Sequence, residues 1–257
     1  MPAESFAAEK SSCSFEREAR EAVYRAIHTR RDVRGHFISG PIDDTVLARL
    51  LTAAHHAPSV GHMQPWNFIV IRDAERREKV RDLFLAARSE EVSAVAAERQ
   101  ALYRKLRLEG ICESALNLCV TCDRTRAEGS PLGRWHNPEM DLYSTVCAVQ
   151  NFWLAARAEG IGVGWVSIFD SVPLKKLLGI PGHVVPVAYL CVGPVSEFAP
   201  RPDLETKGWR QRLPLSGLIM SETFGGDGEA SLKSLADGMA AEGAPASSHA
   251  GGGAEYS

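Results

Sequence analysis

The most constraining feature of the sequence is the run from Met140 to Gly160, MDLYSTVCAVQNFWLAARAEG, which is apolar around most of the circumference of a helix. A helix with apolar side chains on nearly every side must be covered by other elements, so it belongs at the centre of a domain. Gly160 suits the position just after the helix, where a left-handed backbone conformation ends it. The run therefore predicts a layered domain built around this helix.

Short apolar runs and helical periodicity supply the elements around that helix. Because helices and strands do not alternate at regular βαβ spacing, the order favours an α+β domain. A polar stretch from about Glu90 to Leu108 is expected to be mobile and to close as a lid. Strands are predicted over residues 67–71, 116–122, 162–170 and 184–193, and helices over 16–31, 46–54, 74–105 and 173–178.

The composition changes along the chain and predicts three regions. Residues 1–15 are expected to form a flexible arm, and residues 16–224 the folded domain. Residues 225–257 hold eight of the 22 glycines together with many alanines and serines. Such a segment buries too little apolar surface to offset the entropy of ordering, so we predict a disordered tail.

Charge and hydropathy exclude several classes of protein. The net charge is −3 and 24% of the residues are charged, so no overall basic field is available to bind nucleic acid. No apolar run reaches the roughly 18–20 residues that a membrane helix needs, and the first residues lack a secretory signal pattern. We expect a cytoplasmic protein that binds neither nucleic acid nor membrane.

Cysteines and histidines give little support for metal chemistry. Cys119 and Cys122 form a C-x-x-C within a strand-like run, which favours buried thiols over a redox pair or half a zinc site. The eight histidines show no H-x-x-x-H or HExxH spacing. A G-x-S-x-G elbow is also absent, which argues against a serine hydrolase. We therefore predict no metal, and a reducing compartment.

Four short segments carry residues suited to binding chemistry. In Arg30–Arg34, RRDVR, three guanidiniums offer planar donor forks that match phosphate oxygens, with Asp32 as a fixed acceptor or base among them. For this segment alone, a solvated helix end is the more common interpretation. The other segments are the loop APSVGHMQPWN at 57–67, the glycine-containing strand GVGWVSIF at 162–169, and KGWRQRLP at 207–214.

Each of the other three segments also has an ordinary structural interpretation. The 57–67 loop is a helix-to-strand turn in which glycine permits an unusual backbone. The glycines at 162 and 164 let something lie against the strand backbone, and Ser167 is either a functional hydroxyl or one bonded to a carbonyl. Arg210 and Arg212 would project to one side of an extended segment, toward phosphate or toward solvent.

Taken together, these segments resemble the nitroreductase superfamily of FMN proteins over about residues 17–220. RRDVR is similar to its arginine-rich signature, APSVGHMQPWNF to its A-P-S…Q-P-W segment, and WRQRLP to its C-terminal phosphate-binding pair. Within the superfamily the chain looks most like the subfamily that forms 5,6-dimethylbenzimidazole. Asp32 favours that subfamily, because general nitroreductases usually carry serine at this position. The motifs LEGI, CVTCDRTR and HNPEMDLYSTVCAVQN also match it.

The resemblance implies a nitroreductase-like FMN fold, with a central mixed sheet flanked by helices, in a homodimer with FMN at the subunit interface. For such a flavin we expect Asp32 and Ser167 to be catalytic, with Ser167 near the reacting edge of the ring and Asp32 holding the ribityl side or taking a proton. The residues expected to bind FMN are Arg30, Arg31, Asp32, Val33, Arg34, Ser59, Gly61, Gln64, Leu108, Ser167, Arg210 and Arg212.

The implied reaction consumes reduced FMN and O2 and yields 5,6-dimethylbenzimidazole and erythrose 4-phosphate, for the lower ligand of cobalamin. Reduced FMN would be the substrate, supplied by a separate NAD(P)H–flavin reductase. Two alternatives stay open. A conventional NAD(P)H-dependent nitroreductase or flavin reductase would recycle bound FMN, and a non-catalytic flavin carrier would leave it intact.

Overall fold

The computed structural model of the protein describes residues 14–126, 129 and 132–242. The chain divides into two compact units, and the boundary along the chain falls between Pro202 and Asp203. The helices of the first unit are α1 (Arg17–Thr29), α2 (Asp44–His55), α3 (Ala74–Ala94), α4 (Ala97–Lys105), α5 (Met140–Ala158) and α6 (Ser171–Leu178). Its strands are β1 (Trp66–Ile71), β2 (Leu116–Asp123), β3 (Ile161–Val166) and β4 (Val184–Pro194), and a 3-10 turn spans Val60–His62.

The four strands form one sheet in the order β1-β2-β4-β3, so β1 and β3 are its edges. Every pair of strands is antiparallel. The sheet was expected to be mixed, and within the described residues its parallel pairing amounts to one isolated bridge between Asp32 and Val163. The α+β class with helices around a central sheet is confirmed. Strands β2 and β3 run in the same direction on either side of β4, and α5 connects them, so this crossover leaves the antiparallel β4 between its two strands.

Helix α5 packs across one face of the sheet, as its apolar pattern predicts. Alternate residues of β2 and β4 point at α5 and α2 and form the main core, while the intervening residues face the opposite side. Helix α5 is not enclosed on all sides, because Tyr143 and Val146 are exposed. The side chains from β2 and β4 that join the core are Leu116, Leu118, Val120, Ala188, Leu190 and Val192.

Most predicted elements are observed and helix caps follow the sequence, but the single helix predicted over residues 74–105 is broken after Ala94 into α3 and α4. The side chain of Asp43 accepts a hydrogen bond from the Thr45 amide at 2.7 Å, so it caps α2. Gly160 has φ of +75°, as a residue just past a helix end should. The third predicted strand is too long, because β3 ends at Val166. There the chain turns away from the sheet, and the Phe169 amide donates to the Ser167 carbonyl.

The second unit contains α7 (Asp203–Thr206), a 3-10 turn over Leu215–Leu218 and α8 (Ala230–Glu242). Helix α8 departs from the disordered tail predicted for residues 225–257. Alanine, leucine and lysine in ASLKSLADGMAAE have strong helix propensity, and Ala236 is buried. Residues 1–13 and 243–257, which make up most of the predicted arm and the end of the predicted tail, lie outside the described residues. None of the described helices is long and apolar enough to cross a membrane.

Candidate active site

The segment after α1 lies alongside the edge strand β3 and places a carboxylate there. The Val33 amide donates to the Val163 carbonyl at 2.9 Å, and the Trp165 amide donates to Oδ1 of Asp32 at 2.9 Å. Oδ2 of Asp32 is paired with the guanidinium of Arg34. Arg34 also donates to the Leu108 carbonyl at 3.1 Å, while the Leu108 side chain is buried. Both carboxylate oxygens of Asp32 are therefore held by the protein.

Two glycines of β3 make this close approach possible. A Cβ atom on Gly164 would lie 2.0 Å from the Val33 carbonyl oxygen, and one on Gly162 would lie 2.3 Å from Cγ1 of Val195. Both distances are far shorter than any contact that real side chains make. The expectation that something lies against this backbone is confirmed, and what lies there is the chain's own segment around Val33.

The three arginines of the RRDVR segment have different partners. The Arg30 guanidinium stacks over the Trp153 ring, 4.6 Å from its centroid. Arg31 donates to the backbone carbonyls of Ala199 and Pro200, which ties the segment to the chain after β4. Arg34 pairs with the carboxylate of Asp32 and donates to the Leu108 carbonyl. Arg31 thus has a structural role in the protein, and phosphate binding by the cluster stays a prediction.

The turn from Ser59 to Gln64 has an unusual backbone. Gly61, His62 and Gln64 have φ of +56°, +52° and +49°, in the left-handed region that non-glycine residues rarely enter. The Gln64 amide donates to Oγ of Ser59 at 3.1 Å, which closes the turn. The Val60 amide donates to Oγ of Ser144 on α5 at 3.1 Å. Strained backbone of this kind is common at binding sites and costs about 1–3 kcal/mol for each residue.

Ser167 is exposed just beyond the end of β3. It lines an open depression of about 510 Å³ together with α3 and the start of the loop to α6. Three acidic residues, Glu90, Glu91 and Asp170, also line the depression. The depression is shallow and open to solvent, so by itself it would cover only part of a bound molecule.

The stretch predicted to be a lid forms the end of α3 and all of α4, beside this depression. A guanidinium nitrogen of Arg88 donates to the carbonyls of Tyr103, Arg104 and Leu106. The Tyr103 hydroxyl donates to Glu91 at 3.1 Å. Burial, together with that carboxylate, raises the pKa of Tyr103 to about 12. Lid closure itself stays a prediction.

The predicted site residues of the first unit lie at both edges of the sheet. Asp32, Arg34 and Ser167 lie at the β3 edge of the sheet, whereas the Ser59–Gln64 turn leads into β1 at the other edge. Three strand spacings of about 4.8 Å separate the edges by roughly 14 Å. Arg210 and Arg212 are exposed in the second unit, and their approach to bound FMN stays a prediction.

The buried cysteines behave as the sequence predicts. Cys119, Cys122 and Cys191 are buried free thiols on the strands, and burial raises the pKa of Cys119 and of Cys191 to about 12. Cys112 and Cys147 are also free, and Cys147 is exposed. Among the described residues, no group of three or more His, Cys, Asp or Glu side chains is arranged to hold a metal ion.

A sequence profile described as the Nitroreductase family matches residues 27–194, which is more than half of the chain. The chain belongs to the nitroreductase family. Two relatives are similar to this chain over most of its length. The 5,6-dimethylbenzimidazole synthase of Rhodospirillum rubrum is 42% identical over 78% of this chain and 94% of its own. That of Rhodobacter capsulatus is 41% identical over 78% of this chain and 97% of its own.

Solved structures agree with the nitroreductase fold. Oxidized iodotyrosine deiodinase bound to FMN and 3-iodo-L-tyrosine is similar at a TM-score of 0.62, over 79% of this chain and 100% of that one, with 19% sequence identity. NfrA2 of B. megaterium is similar at a TM-score of 0.60, over 86% of this chain and 80% of that one, with 22% identity. At these identities the similarity concerns the fold.

The backbone groups that hold Asp32 and Arg34 could not be predicted from side-chain patterns. The Trp165 amide fixes Asp32 and the Leu108 carbonyl fixes Arg34, yet backbone groups have no side-chain signature. The glycine on each side of Val163 was the available signal, since two glycines in an edge strand indicate a close neighbouring chain.

Proposed function

We propose that the protein carries out the oxygen-dependent fragmentation of reduced FMN to 5,6-dimethylbenzimidazole and erythrose 4-phosphate, for the lower ligand of cobalamin. Reduced FMN is the substrate, O2 the co-substrate, and a separate NAD(P)H–flavin reductase supplies the reduced flavin. The support comes from two relatives named for this product at 42% and 41% identity, each covered nearly end to end.

The observation that carries the proposal is the placement of Asp32 and Ser167 toward the same end of β3. The Trp165 amide that holds Asp32 lies two residues before Ser167, which is exposed just past the end of the strand. A fixed carboxylate can take or give a proton, and a hydroxyl can donate and accept hydrogen bonds at a reacting ring edge. We assign the catalytic roles to these two side chains.

The surroundings of Ser167 fit the ring of a flavin better than its phosphate. Glu90, Glu91 and Asp170 line the depression, and their carboxylates would repel a phosphate dianion. The isoalloxazine ring carries at most one delocalised negative charge, so this conflict is weaker for the ring than for the phosphate. We therefore expect the isoalloxazine ring near Ser167 and the phosphate near arginines, with Arg30, Arg34, Arg210 and Arg212 as the candidates. Val33, Ser59, Gly61, Gln64 and Leu108 complete the proposed FMN-binding set, in which Arg31 supports the segment.

A homodimer is part of the proposal, with FMN at the interface of two subunits. The Ser59–Gln64 turn and Asp32 lie at opposite edges of the sheet, whose edge strands are roughly 14 Å apart by strand spacing. A site that uses both segments on one flavin takes the turn from a second copy. Exposed apolar side chains on α1 and α5, among them Tyr24 and Tyr143, fit such an interface. The five described cysteines are free thiols, the usual state in the reducing cytoplasm where we place the reaction.

The decisive experiment is an aerobic incubation of the full chain with FMN, NADH and a flavin reductase, followed by chromatography for 5,6-dimethylbenzimidazole. The expected result is product formation that requires the reductase, O2 and this chain together. Asp32→Asn and Ser167→Gly should bind FMN nearly as well as the unaltered chain and form much less product. Full product yield from both variants would remove the two catalytic assignments.

The same experiment separates the competing functions. A conventional nitroreductase oxidises NAD(P)H unaided in the presence of a nitroaromatic acceptor and leaves FMN intact. A flavin carrier binds FMN, consumes no NAD(P)H and forms no benzimidazole. Either result in place of the benzimidazole would overturn the proposal.

A further inference from the structure

A buried polar network lies on the face of the sheet opposite α5. Asn117 on β2 is fully buried and Tyr189 on β4 is 2% exposed. The Tyr189 hydroxyl donates to Oδ1 of Asn117 at 2.8 Å. Nδ2 of Asn117 donates to the Ile111 carbonyl at 3.1 Å and to Oγ of Ser114 at 2.8 Å. A buried polar group that lacks a hydrogen bond lowers the stability of the fold. These bonds therefore hold the 108–114 segment against the sheet.

One branch of the network leads to the charged side of the candidate site. The segment that Asn117 holds begins at Leu108, whose carbonyl accepts from Arg34. Arg34 in turn pairs with Asp32. Packing leaves little freedom here, because a Cβ on Gly110 would lie 2.9 Å from the Arg34 carbonyl oxygen. The position of the Arg34 guanidinium therefore depends on where the 108–114 segment sits.

A second branch runs through the ring of the same tyrosine. Tyr189 is the β4 residue opposite Val166, the last residue of β3. Its ring meets the Phe169 ring edge-on, with centroids 5.3 Å apart, and Phe169 in turn meets Phe84 of α3 at 6.3 Å. The loop that carries Ser167 is therefore packed on Tyr189 at one end and continues from β3 at the other.

We propose that Tyr189 is a positioning residue for both sides of the site. Its hydroxyl fixes the position of Arg34, and its ring fixes the loop that carries Ser167. The two branches meet again where the Trp165 amide binds Asp32, so the contacts form a closed circuit through the site. Burial raises the pKa of Tyr189, which keeps the hydroxyl protonated as a donor. The roles of Arg34 in FMN binding and of Ser167 in catalysis rest on the proposed function. The coupling of their positions through Tyr189 rests on the contacts alone.

Two substitutions separate the branches. Tyr189→Phe removes the hydroxyl and keeps the ring, so we expect the dissociation constant of FMN and the KM for reduced FMN to rise about tenfold, because the segment that positions Arg34 loses its preorganisation. The value of kcat should stay within about threefold, because Asp32 keeps its own bond from Trp165. Phe169→Leu disturbs the Ser167 loop, so kcat should fall at least about tenfold while FMN affinity changes little.

Hydrogen exchange on the unliganded full chain provides a readout that does not depend on activity. Exchange of the amides of residues 108–117 should accelerate in Tyr189→Phe and stay unchanged in Phe169→Leu. Leu47→Ala, in the core between α2 and α5, is the matched control for general destabilisation. It should lower the melting temperature without changing FMN affinity, kcat or exchange in that segment.

The outcomes separate this inference from the proposed function. If the unaltered chain forms no benzimidazole, the proposed function fails, while FMN affinity and exchange in Tyr189→Phe still decide the coupling. If Tyr189→Phe shows unchanged FMN affinity and unchanged exchange, the positioning role of the hydroxyl is overturned. An effect of Tyr189→Phe equal to that of Leu47→Ala on every measurement would reduce Tyr189 to a core residue.

Discussion

The two edges of the sheet organise their candidate site residues in different ways. At the β3 edge, Asp32 and Arg34 sit in regular extended geometry and are fixed by side-chain and backbone partners. At the β1 edge, the Ser59–Gln64 turn is bonded to Ser144 and Arg126 and also places Gly61 and two non-glycine residues in the left-handed region. Both edges are held by specific contacts, and the β1 edge adds backbone strain.

The difference predicts different sensitivities. A close-packed edge cannot take an added methyl group, because the neighbouring atom is a backbone oxygen that cannot move alone. In a strained turn, a substitution changes the free energy of unfolding according to how easily the new residue adopts a positive φ. Glycine adopts it without steric cost. Substitutions at the β3 edge should therefore disturb both folding and chemistry, whereas substitutions at the β1 edge should produce smaller changes.

The largest effect is expected for Gly164→Ala. The new Cβ would lie 2.0 Å from the Val33 carbonyl oxygen, so the Asp32 segment must leave β3. We expect a loss of at least about 3 kcal/mol in the free energy of unfolding, at the upper end of overpacking effects. Benzimidazole formation should fall by about 10²-fold or more through misplacement of Asp32. Urea denaturation and the coupled assay measure both.

Gly182→Ala is the matched control, since a Cβ on Gly182 meets no atom within 4 Å. It should leave stability and activity near their starting values. Equal effects of the two substitutions would contradict the close-packing account of the β3 edge.

The next effect is expected for Asp32→Asn, which keeps the shape of the side chain and removes its charge. The rate of benzimidazole formation should fall by roughly 10²–10⁴-fold, the usual contribution of a proton-transferring group. The loss of the pair with Arg34 should lower stability by only about 1 kcal/mol. Asp44→Asn removes an exposed ion pair with Arg72 and should not alter the rate, so parallel losses in both variants would count against a catalytic Asp32.

A smaller effect is expected for Gly61→Ala in the strained turn. Its φ is +56° and the added Cβ would lie 2.9 Å from the Leu132 carbonyl oxygen. Gly179, with φ of +66° and open space around it, provides the same backbone strain without the contact. We expect both alanine variants to lose about 1–2 kcal/mol from positive φ. Gly61→Ala should lose more and should also weaken FMN binding, as fluorescence titration would detect.

The smallest effect, with the opposite sign, is expected for His62→Gly. Relief of positive φ gains about 1–2 kcal/mol and the greater freedom of unfolded glycine offsets about 0.5–1 kcal/mol, so the net gain is roughly 0.5 kcal/mol. His56 has φ of −81°, and His56→Gly should instead destabilise the chain. If both variants lower the urea midpoint, strain at His62 is not a measurable feature of the turn.

Local patterns predicted most elements, because helix and strand periodicity act over a few residues. The apolar run of α5 located the central helix, and the short apolar run LNLCVTC located β2, which is buried along nearly its whole length. The tail was predicted poorly at residues 230–242. Its overall composition suggested disorder, whereas the local helix propensity of alanine and leucine dominates in that stretch.

The sequence by itself determined the α+β class, the family resemblance and the residue types available for the chemistry, since these depend on local pattern and on recognisable motifs. Only the tertiary structure decided which hydrogen-bond and ion-pair partners these side chains have. It directed Arg31 to carbonyl oxygens and Arg34 to Asp32, and it joined Tyr189 to Asn117 across two strands. Such contacts join residues far apart in the chain, and hydrogen bonds to backbone atoms depend on where the chain folds back rather than on which side chain a neighbour carries.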